Sequence, residues 1–179
     1  MIFTETALKG AWIIDVQRID DERGFFARSF CKEEFSNHGL KTDVAQSNIS
    51  YNKLKGTLRG MHFQQQPKEE AKLVRCTRGK IFDVIIDLRP DSSTYCRWEG
   101  VELSKDSRRA LYIPKGFAHG FLTLEDDSEV FYQMYEFFAP ECASGVRWDD
   151  PAFGVSWPLA NPIISAKDLS YPDFTGFTS

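Results

Sequence analysis

Two of the chain's three histidines lie in glycine-containing segments where a side chain could transfer protons. His62 occurs in Arg-Gly-Met-His-Phe-Gln, and His119 occurs in Lys-Gly-Phe-Ala-His-Gly-Phe. Glycine beside a polar residue in a strand often marks a bulge or a close approach of two backbones. With a lysine, a tyrosine and an aspartate nearby, such a histidine could abstract and return protons at neutral pH. Each could equally be a hydrogen-bonded core residue, whereas His38, beside a glycine at a predicted helix end, is expected at the surface.

Other kinds of chemistry lack the residue patterns that they need. A metal site in a β-barrel commonly uses closely spaced histidines, a third histidine and a carboxylate, but the sequence contains no His-x-His pair. It also contains no Gly-x-Gly-x-x-Gly motif, no P-loop and no Cys-x-x-Cys pair. The sequence therefore predicts a site without metal or cofactor. A metal-dependent enzyme of related fold stays an alternative.

The composition is ordinary for a globular protein. The chain has 179 residues, of which 42% are hydrophobic and 27% charged, and this predicts one domain spanning residues 1–179. The net charge of −4 offers no basic face for nucleic acid, and no apolar run reaches the ~18 residues of a membrane span. The N-terminus has no signal-peptide pattern, and the four cysteines are scattered. We therefore expect a cytoplasmic protein with no nucleic-acid or membrane partner.

The elements that must position these residues are mostly short strands. Turn residues separate ten β-like runs: Ala11–Ile19, Gly24–Phe30, Val44–Tyr51, Thr57–Phe63, Lys72–Arg78, Lys80–Leu88, Tyr95–Leu103, Ala110–Ile113, His119–Thr123 and Glu129–Phe138. Cys31–His38 is the early helix candidate, and the tail from Pro151 is predicted as loop and short helix. Because no helix is long enough for a parallel crossover, the pattern favours an all-β jelly roll or barrel.

The run Lys80–Leu88 places two acids on an apolar face. Residues two apart in a strand point to the same side, so Asp83 and Asp87 share a face with Ile81 and Ile85. Such a position indicates either the edge of a strand or a charge that is buried for a purpose.

Several stretches, in the same order along the chain, resemble one known family. They are Asp21-Glu22-Arg23-Gly24-Phe25-Phe26, Gln46-Ser47-Asn48, Leu58-Arg59-Gly60-Met61-His62-Phe63-Gln64, Lys72-Leu73-Val74-Arg75, Gly79-Lys80-Ile81-Phe82-Asp83-Val84, Pro114-Lys115-Gly116-Phe117-Ala118-His119-Gly120-Phe121, Val146-Arg147-Trp148-Asp149-Asp150-Pro151 and Ser165-Ala166-Lys167-Asp168. From about Gly10 to Asp168 the chain resembles the dTDP-4-dehydrorhamnose 3,5-epimerases. The resemblance implies a cupin-type jelly-roll barrel with short peripheral helices, which forms a homodimer. It also implies cofactor-independent inversion of C3, C5 or both in a nucleoside-diphosphate 4-keto-6-deoxyhexose.

The resemblance implies a role for each of four catalytic residues. His62 is the base that removes the proton next to the ketone. Asp168 orients the imidazole and favours its charged, protonated form. Lys72 places positive charge near the C4 oxygen, where negative charge develops. Tyr132 is the acid that returns a proton to the far face of the ring. Taken singly, each could also be an ordinary surface or core residue.

The resemblance also implies a substrate-binding set around the nucleotide and the sugar. His119 belongs to this set, and Asp83 supports it as a buried partner. The other implied contacts, with Arg23 and Phe26 supplied by the partner chain, are Arg23, Phe26, Arg28, Gln46, Asn48, Arg59 and Phe138. Arginine suits the diphosphate because its fork binds two oxygens at once.

One expectation depends on backbone geometry at Gly60. In a regular strand Arg59 and His62 would point to opposite sides of the sheet. A bulge at Gly60 is therefore required if both side chains serve one pocket.

Two positions depart from the family pattern. The family usually has a glutamate where this chain has Arg28, and often a tyrosine where it has Phe138. A carboxylate accepts a hydrogen bond from thymine, whereas an arginine only donates. The alternatives are therefore a mono-epimerase acting on a CDP- or GDP-linked sugar, or an Arg28 that pairs with a nearby acid such as Glu22. A non-catalytic sugar-binding protein is the rival from another class.

Overall fold

Short antiparallel strands make up most of the molecule. The computed structural model describes residues 1–176, so the last three residues of the expected domain, 177–179, lie outside the described residues. The strands are β1 (Ile2–Glu5), β2 (Trp12–Asp15), β3 (Arg18–Asp21), β4 (Gly24–Ala27), β5 (Gln46–Asn52), β6 (Leu58–Gln64), β7 (Lys72–Arg78), β8 (Lys80–Asp87), β9 (Trp98–Ser104), β10 (Ala110–Ile113), β11 (Phe117–Thr123), β12 (Ser128–Met134) and β13 (Ala143–Gly145). Two short helices, α1 (Lys32–Asn37) and α2 (Ala166–Leu169), and a 3-10 turn at Pro140–Cys142 lie at the periphery.

The strands form two main sheets and a separate hairpin. The six-stranded sheet has the order β1-β2-β10-β7-β12-β5, and the five-stranded sheet has the order β13-β6-β11-β8-β9. Strands β3 and β4 pair only with each other. The chain repeatedly crosses from one sheet to the other, which confirms the predicted all-β jelly roll. The two sheets remain distinct and are not closed into one.

Apolar side chains from both sheets meet in the interior. Val74 and Leu111 from the six-stranded sheet pack in one cluster with Ile81, Ile85 and Phe121 from the five-stranded sheet. Burial of such side chains is the main term that favours folding, at roughly 25 cal/mol per Å² of apolar surface. The core therefore fixes the distance between the two sheets, and the site described below draws residues from both.

Two further apolar clusters cover the outer faces of the sheets. The segment containing α1 inserts Phe35, which is fully buried, against Leu73 and Tyr112 of the six-stranded sheet. Phe153 in the C-terminal region packs on Val84 of the five-stranded sheet. Neither helix in residues 1–176 has the length and apolar content needed to cross a bilayer.

The predicted strands are largely present, with changes at their ends. The run Ala11–Ile19 is two strands, because β2 belongs to the six-stranded sheet and β3 turns away into the hairpin. Strands β1 and β13 were not predicted. Three of the four residues of β1 are exposed, so it shows no alternation, and β13 has only three residues.

Both acids of β8 are buried charges, which decides between the two expectations for this strand. Asp83 and Asp87 have no exposed surface. Burial alone would raise the pKa of Asp87, but hydrogen bonds from Arg89, Ser92 and Thr94 outweigh it and lower the pKa to about 2. The guanidinium of Arg89 reaches Asp87 Oδ2 at 2.7 Å, so this carboxylate ties the end of β8 to the following turn.

Replacing Asp87 by asparagine should remove an acid-sensitive part of the stability. A carboxyl whose pKa is lowered on folding stabilises the native state above its unfolded pKa, and this contribution is lost as the pH falls toward 2. We expect Asp87→Asn to lower the free energy of unfolding at pH 7 by roughly 2 kcal/mol and to flatten its dependence on pH between about 5 and 2. Urea unfolding across that range measures both, with the exposed Asp91→Asn as control. If the free energy of unfolding of Asp87→Asn depends on pH as steeply as that of the wild type, Asp87 is not the source of this acid sensitivity.

Candidate active site

An open cavity of about 640 Å³ contains the predicted catalytic residues. Its lining comes from both sheets and from the segment of α2, and consists of Ile49, Ser50, Tyr51, Arg59, His62, Lys72, His119, Phe121, Tyr132, Ser165, Lys167 and Asp168. A second cavity of about 180 Å³ shares four of these residues, His62, Lys72, Tyr132 and Lys167. Two spaces of different size therefore meet at His62, Lys72 and Tyr132.

His62 and Asp168 form a hydrogen-bonded pair although 106 residues separate them. His62 Nε2 lies 2.8 Å from Asp168 Oδ1. Helix α2 begins after Ser165, whose hydroxyl accepts a hydrogen bond from the backbone N–H of Asp168 at 3.1 Å. The backbone N–H of Gly60 donates to Asp168 Oδ2 at 3.4 Å. Asp168 is thus buried and held by three groups, and it fixes the orientation of the imidazole.

The surroundings of His62 keep its ring neutral near pH 7. Burial lowers its pKa below the ordinary value of 6.5, Asp168 opposes this shift, and the positive charge of Lys72 adds to it. No described residue forms a hydrogen bond with the other ring nitrogen, Nδ1. A neutral imidazole oriented by a carboxylate is the form that accepts a proton.

Lys72 is a buried cation at the start of β7. Its ammonium lies 2.8 Å from Glu70 Oε1, and the two side chains are only 10% and 5% exposed. The other oxygen of Glu70 accepts a hydrogen bond from the backbone N–H of Gln64 at 2.9 Å. A positive charge is thereby placed where the two cavities meet, beside His62.

Tyr132 enters the same space from the six-stranded sheet, whereas His62 belongs to the five-stranded sheet. Burial raises the pKa of the Tyr132 phenol, and Arg59 partly offsets this. The hydroxyl therefore keeps its proton at neutral pH. No described residue bonds to this hydroxyl, so it is free to donate to a ligand. The neutral imidazole and the protonated phenol thus come from different sheets.

The bulge required at Gly60 is present. His62 pairs with His119, and Arg59 pairs with Phe121, so β6 has one residue more than β11 over this stretch. A Cβ atom on Gly60 would lie 2.6 Å from the Cα of Gly120, which leaves room only for glycine. The bulge brings Arg59 and His62 into one cavity, as expected.

Arg59 is anchored through one nitrogen and open at the others. Its Nε donates to Asn52 Oδ1 at 2.7 Å, and Asn52 is itself buried against the backbone of Ser128. The remaining guanidinium N–H groups have no partner among residues 1–176. They are suited to bind phosphate oxygens.

His119 and Asp83 form a second buried pair on the neighbouring strands. His119 Nε2 lies 2.9 and 3.0 Å from the two oxygens of Asp83. His119 lines the larger cavity and lies opposite His62 across the β6–β11 ladder. Its positive charge, when present, lowers the pKa of His62 further.

Three other predicted binding residues lie next to the two cavities. Gln46 Oε1 accepts a hydrogen bond from the backbone N–H of Phe138 at 2.9 Å, and Asn48 is the cross-strand neighbour of Tyr132. Phe138 lines the smaller cavity and is 56% exposed. Gln46 and Asn48 line neither cavity, and their role in binding stays a prediction.

The structure does not bring Arg23, Phe26 and Arg28 into the cavity of their own chain. Arg23 is paired with Asp21 on the exposed hairpin, and Phe26 is 70% exposed. Arg28 forms an ion pair with Glu34 at 3.0 Å, rather than with Glu22. That this hairpin reaches the site of a partner chain stays a prediction.

Sequence reasoning missed four residues at the site. Glu70 holds Lys72, Ser165 caps α2, Lys167 lines both cavities, and Tyr171 packs edge-on against His62 with ring centroids 6.2 Å apart. The pattern Ser-x-x-Asp before a short helix signals the cap at Ser165. Tyr171 lies beyond the recognised stretches and carries no such signal.

Metal ligands are not clustered at this site. Within residues 1–176, no group of three or more His, Cys, Asp or Glu side chains is arranged to hold a metal ion. The carboxylates of the cavity are instead paired one to one with His62, His119 and Lys72.

The sequence matches the dTDP-4-dehydrorhamnose 3,5-epimerase family over residues 5–176. The chain belongs to this family. A family member from Methanothermobacter thermautotrophicus is 47% identical over 172 residues, which cover 94% of this chain and 92% of that protein. The family assignment makes the chain a carbohydrate epimerase, and therefore an isomerase.

Solved structures of the family have the same fold. The chain is similar to dTDP-4-dehydrorhamnose 3,5-epimerase from Bacillus anthracis with TDP and PPi bound, with a TM-score of 0.93, 40% identity and coverage of 97% of this chain and 99% of that one. It is also similar to the Legionella pneumophila enzyme in complex with dTDP-4-keto-L-rhamnose, with a TM-score of 0.88, 36% identity and coverage of 93% and 89%.

Proposed function

We propose that the chain inverts C3 and C5 of a dTDP-linked 4-keto-6-deoxyhexose in deoxysugar biosynthesis. One observation carries this proposal. His62, neutral and oriented by a carboxylate, and Tyr132, which keeps its proton, line one cavity and belong to different sheets. Inversion next to a ketone needs a base and an acid on opposite faces of the ring. The names of the relatives support the substrate class.

The proposed mechanism moves one proton off the sugar and one back on at each centre. His62 accepts the proton from the carbon next to the ketone, and the electron pair moves onto the C4 oxygen to give an enolate. The ammonium of Lys72 stabilises this oxyanion electrostatically in a partly enclosed site. Tyr132 then delivers a proton to the opposite face of the same carbon. Solvent reprotonates Tyr132 and removes the proton from His62, so no net atoms are gained or lost.

The diphosphate is proposed to bind beside Arg59 and Lys167, two cations of the cavity with no acidic partner among residues 1–176. We further propose that the chain acts as a homodimer in which the hairpin β3–β4 of one chain completes the nucleotide site of the other. Exposed Phe26 and the separate pairing of this hairpin support that arrangement. The four cysteines form no disulfide, which supports a cytoplasmic location.

Solvent deuterium exchange tests the function directly. The protein would be incubated in D₂O with dTDP-, CDP- and GDP-linked 4-keto-6-deoxyhexoses, and the sugars analysed by mass spectrometry and NMR. We expect two deuteriums, one at C3 and one at C5, with the dTDP-linked substrate exchanging fastest.

Each other outcome contradicts a separate part of the proposal. One deuterium would show a mono-epimerase. Faster exchange with a CDP- or GDP-linked sugar would support the alternative in which Arg28 contacts the base of the nucleotide. No uptake with any substrate would favour a non-catalytic sugar-binding protein. Loss of exchange after chelation, restored by a metal, would favour the metal-dependent alternative.

A further inference from the structure

The acid–base mechanism does not itself assign a function to the ion pair between Glu70 and Lys72. Glu70 Oε1 lies 2.8 Å from the ammonium of Lys72. Glu70 Oε2 accepts a hydrogen bond from the backbone N–H of Gln64 at 2.9 Å. The carboxylate is therefore fixed to the backbone by one oxygen and holds the cation with the other.

The pair lies at the place where the reacting carbonyl is expected. Lys72 lines both cavities, whereas Glu70 lines only the smaller one of about 180 Å³. A lysine has four flexible side-chain bonds and a point charge with no directional fork, so by itself it fixes a charge poorly. Its ammonium also lies near His62 on a side chain that is only 10% exposed, and a buried cation of this kind requires a counter-charge.

We propose that Glu70 is a positioning residue that fixes the ammonium of Lys72 at the junction of the two cavities, where it faces the C4 oxygen of the substrate. This inference rests on the proposed function. Glu70 makes no bond to the substrate and transfers no proton. Its effect on the reaction passes through Lys72, because the stabilisation of an oxyanion depends on the place of the charge before reaction begins.

A double-mutant cycle separates this function from a purely structural one. The variants are Glu70→Gln, Lys72→Met and the double variant, with Glu69→Gln as the matched control on the neighbouring carboxylate outside both cavities. Glu70→Gln keeps an oxygen for the N–H of Gln64 but removes the charge. Deuterium exchange into the dTDP-linked keto sugar gives kcat and KM, and titration calorimetry gives the affinity for dTDP.

We expect Glu70→Gln to lower kcat by about 10- to 100-fold, the size of a small misplacement of a catalytic group, with KM and dTDP affinity within about twofold of wild type. In the Lys72→Met background the same change should have no further effect on kcat, since residues that act through one another are not additive. The control Glu69→Gln should retain wild-type kcat and KM.

Two results would overturn the inference. One is a wild-type kcat in Glu70→Gln while the wild-type protein exchanges deuterium normally, and the other is an additive loss in the double variant. If Glu70→Gln alone does not fold, the double variant is compared with Lys72→Met instead. A lower exchange rate in the double variant than in Lys72→Met would overturn the inference, and an equal rate would support it. Absence of exchange in the wild type would instead refute the proposed function.

Discussion

Replacing His62 by asparagine is expected to lower deuterium exchange at both C3 and C5 by about 10³- to 10⁴-fold, at the upper end of what a general base contributes. Asparagine is too short to reach the position of His62 Nε2, which lies 2.8 Å from Asp168 Oδ1 in the native protein. It has no nitrogen that can accept a proton at neutral pH. The variant therefore removes the base, and Asp168 keeps the hydrogen bond from the backbone N–H of Gly60. Exchange into the dTDP-linked substrate measures the loss.

The control for this variant is His38→Asn, because His38 is exposed at the end of α1 and outside both cavities. It should exchange deuterium at the wild-type rate. In the wild type, kcat/KM should fall with decreasing pH only below 6.5, since burial lowers the pKa of His62 from that value. Substantial exchange in His62→Asn, with dTDP still bound, would assign the base elsewhere.

Replacing Tyr132 by phenylalanine is expected to separate proton removal from inversion. The phenol keeps its proton at neutral pH because burial raises its pKa, and the variant removes only this donor. We expect formation of inverted product to fall by about 10²- to 10⁴-fold, while the substrate still incorporates deuterium with its configuration retained. His62 is intact in this variant and continues to remove the proton. NMR of the sugar recovered from D₂O distinguishes retention from inversion at each carbon.

Tyr135→Phe is the matched control for that experiment. Tyr135 follows directly after strand β12 but is buried in the outer cluster with Leu73 and Tyr112, and its hydroxyl has no hydrogen-bond partner. Its removal should leave both exchange and inversion unchanged, because it lines neither cavity. Equal losses of exchange and inversion in Tyr132→Phe would mean that the phenol also acts during proton removal.

The architecture was predictable because its signals are local. Alternation in β8 and the turn residues between strands identify short antiparallel strands, and β7 and β10 have the predicted bounds. Strand β4 was predicted as a run of its own, but β3 was not separated from β2, because Ala11–Ile19 is one continuous β-like run while the two strands belong to different sheets. Sheet membership is decided by long-range pairing, which a local pattern does not contain.

The site was predictable only in part for a similar reason. Strand parity at Arg59 and His62 required a bulge at Gly60, and the bulge is present. The approach of Asp168 to His62 spans 106 residues, so only family resemblance pointed to it. Glu70 lies before the predicted first residue of its strand, Lys72, so the strand pattern does not include it, although alternation would place residues 70 and 72 on one side.

The division of the two proposed acid–base residues between two sheets has a consequence for the way the protein responds to changes far from the cavity. His62 lies on the five-stranded sheet and Tyr132 on the six-stranded sheet, and the apolar side chains packed between the sheets help to set how far apart they lie. Interiors are close-packed, so a change of one methylene in a residue such as Ile85 is transmitted to its neighbours. Under the proposed mechanism, the distance between proton acceptor and proton donor therefore depends on core residues that do not touch the sugar.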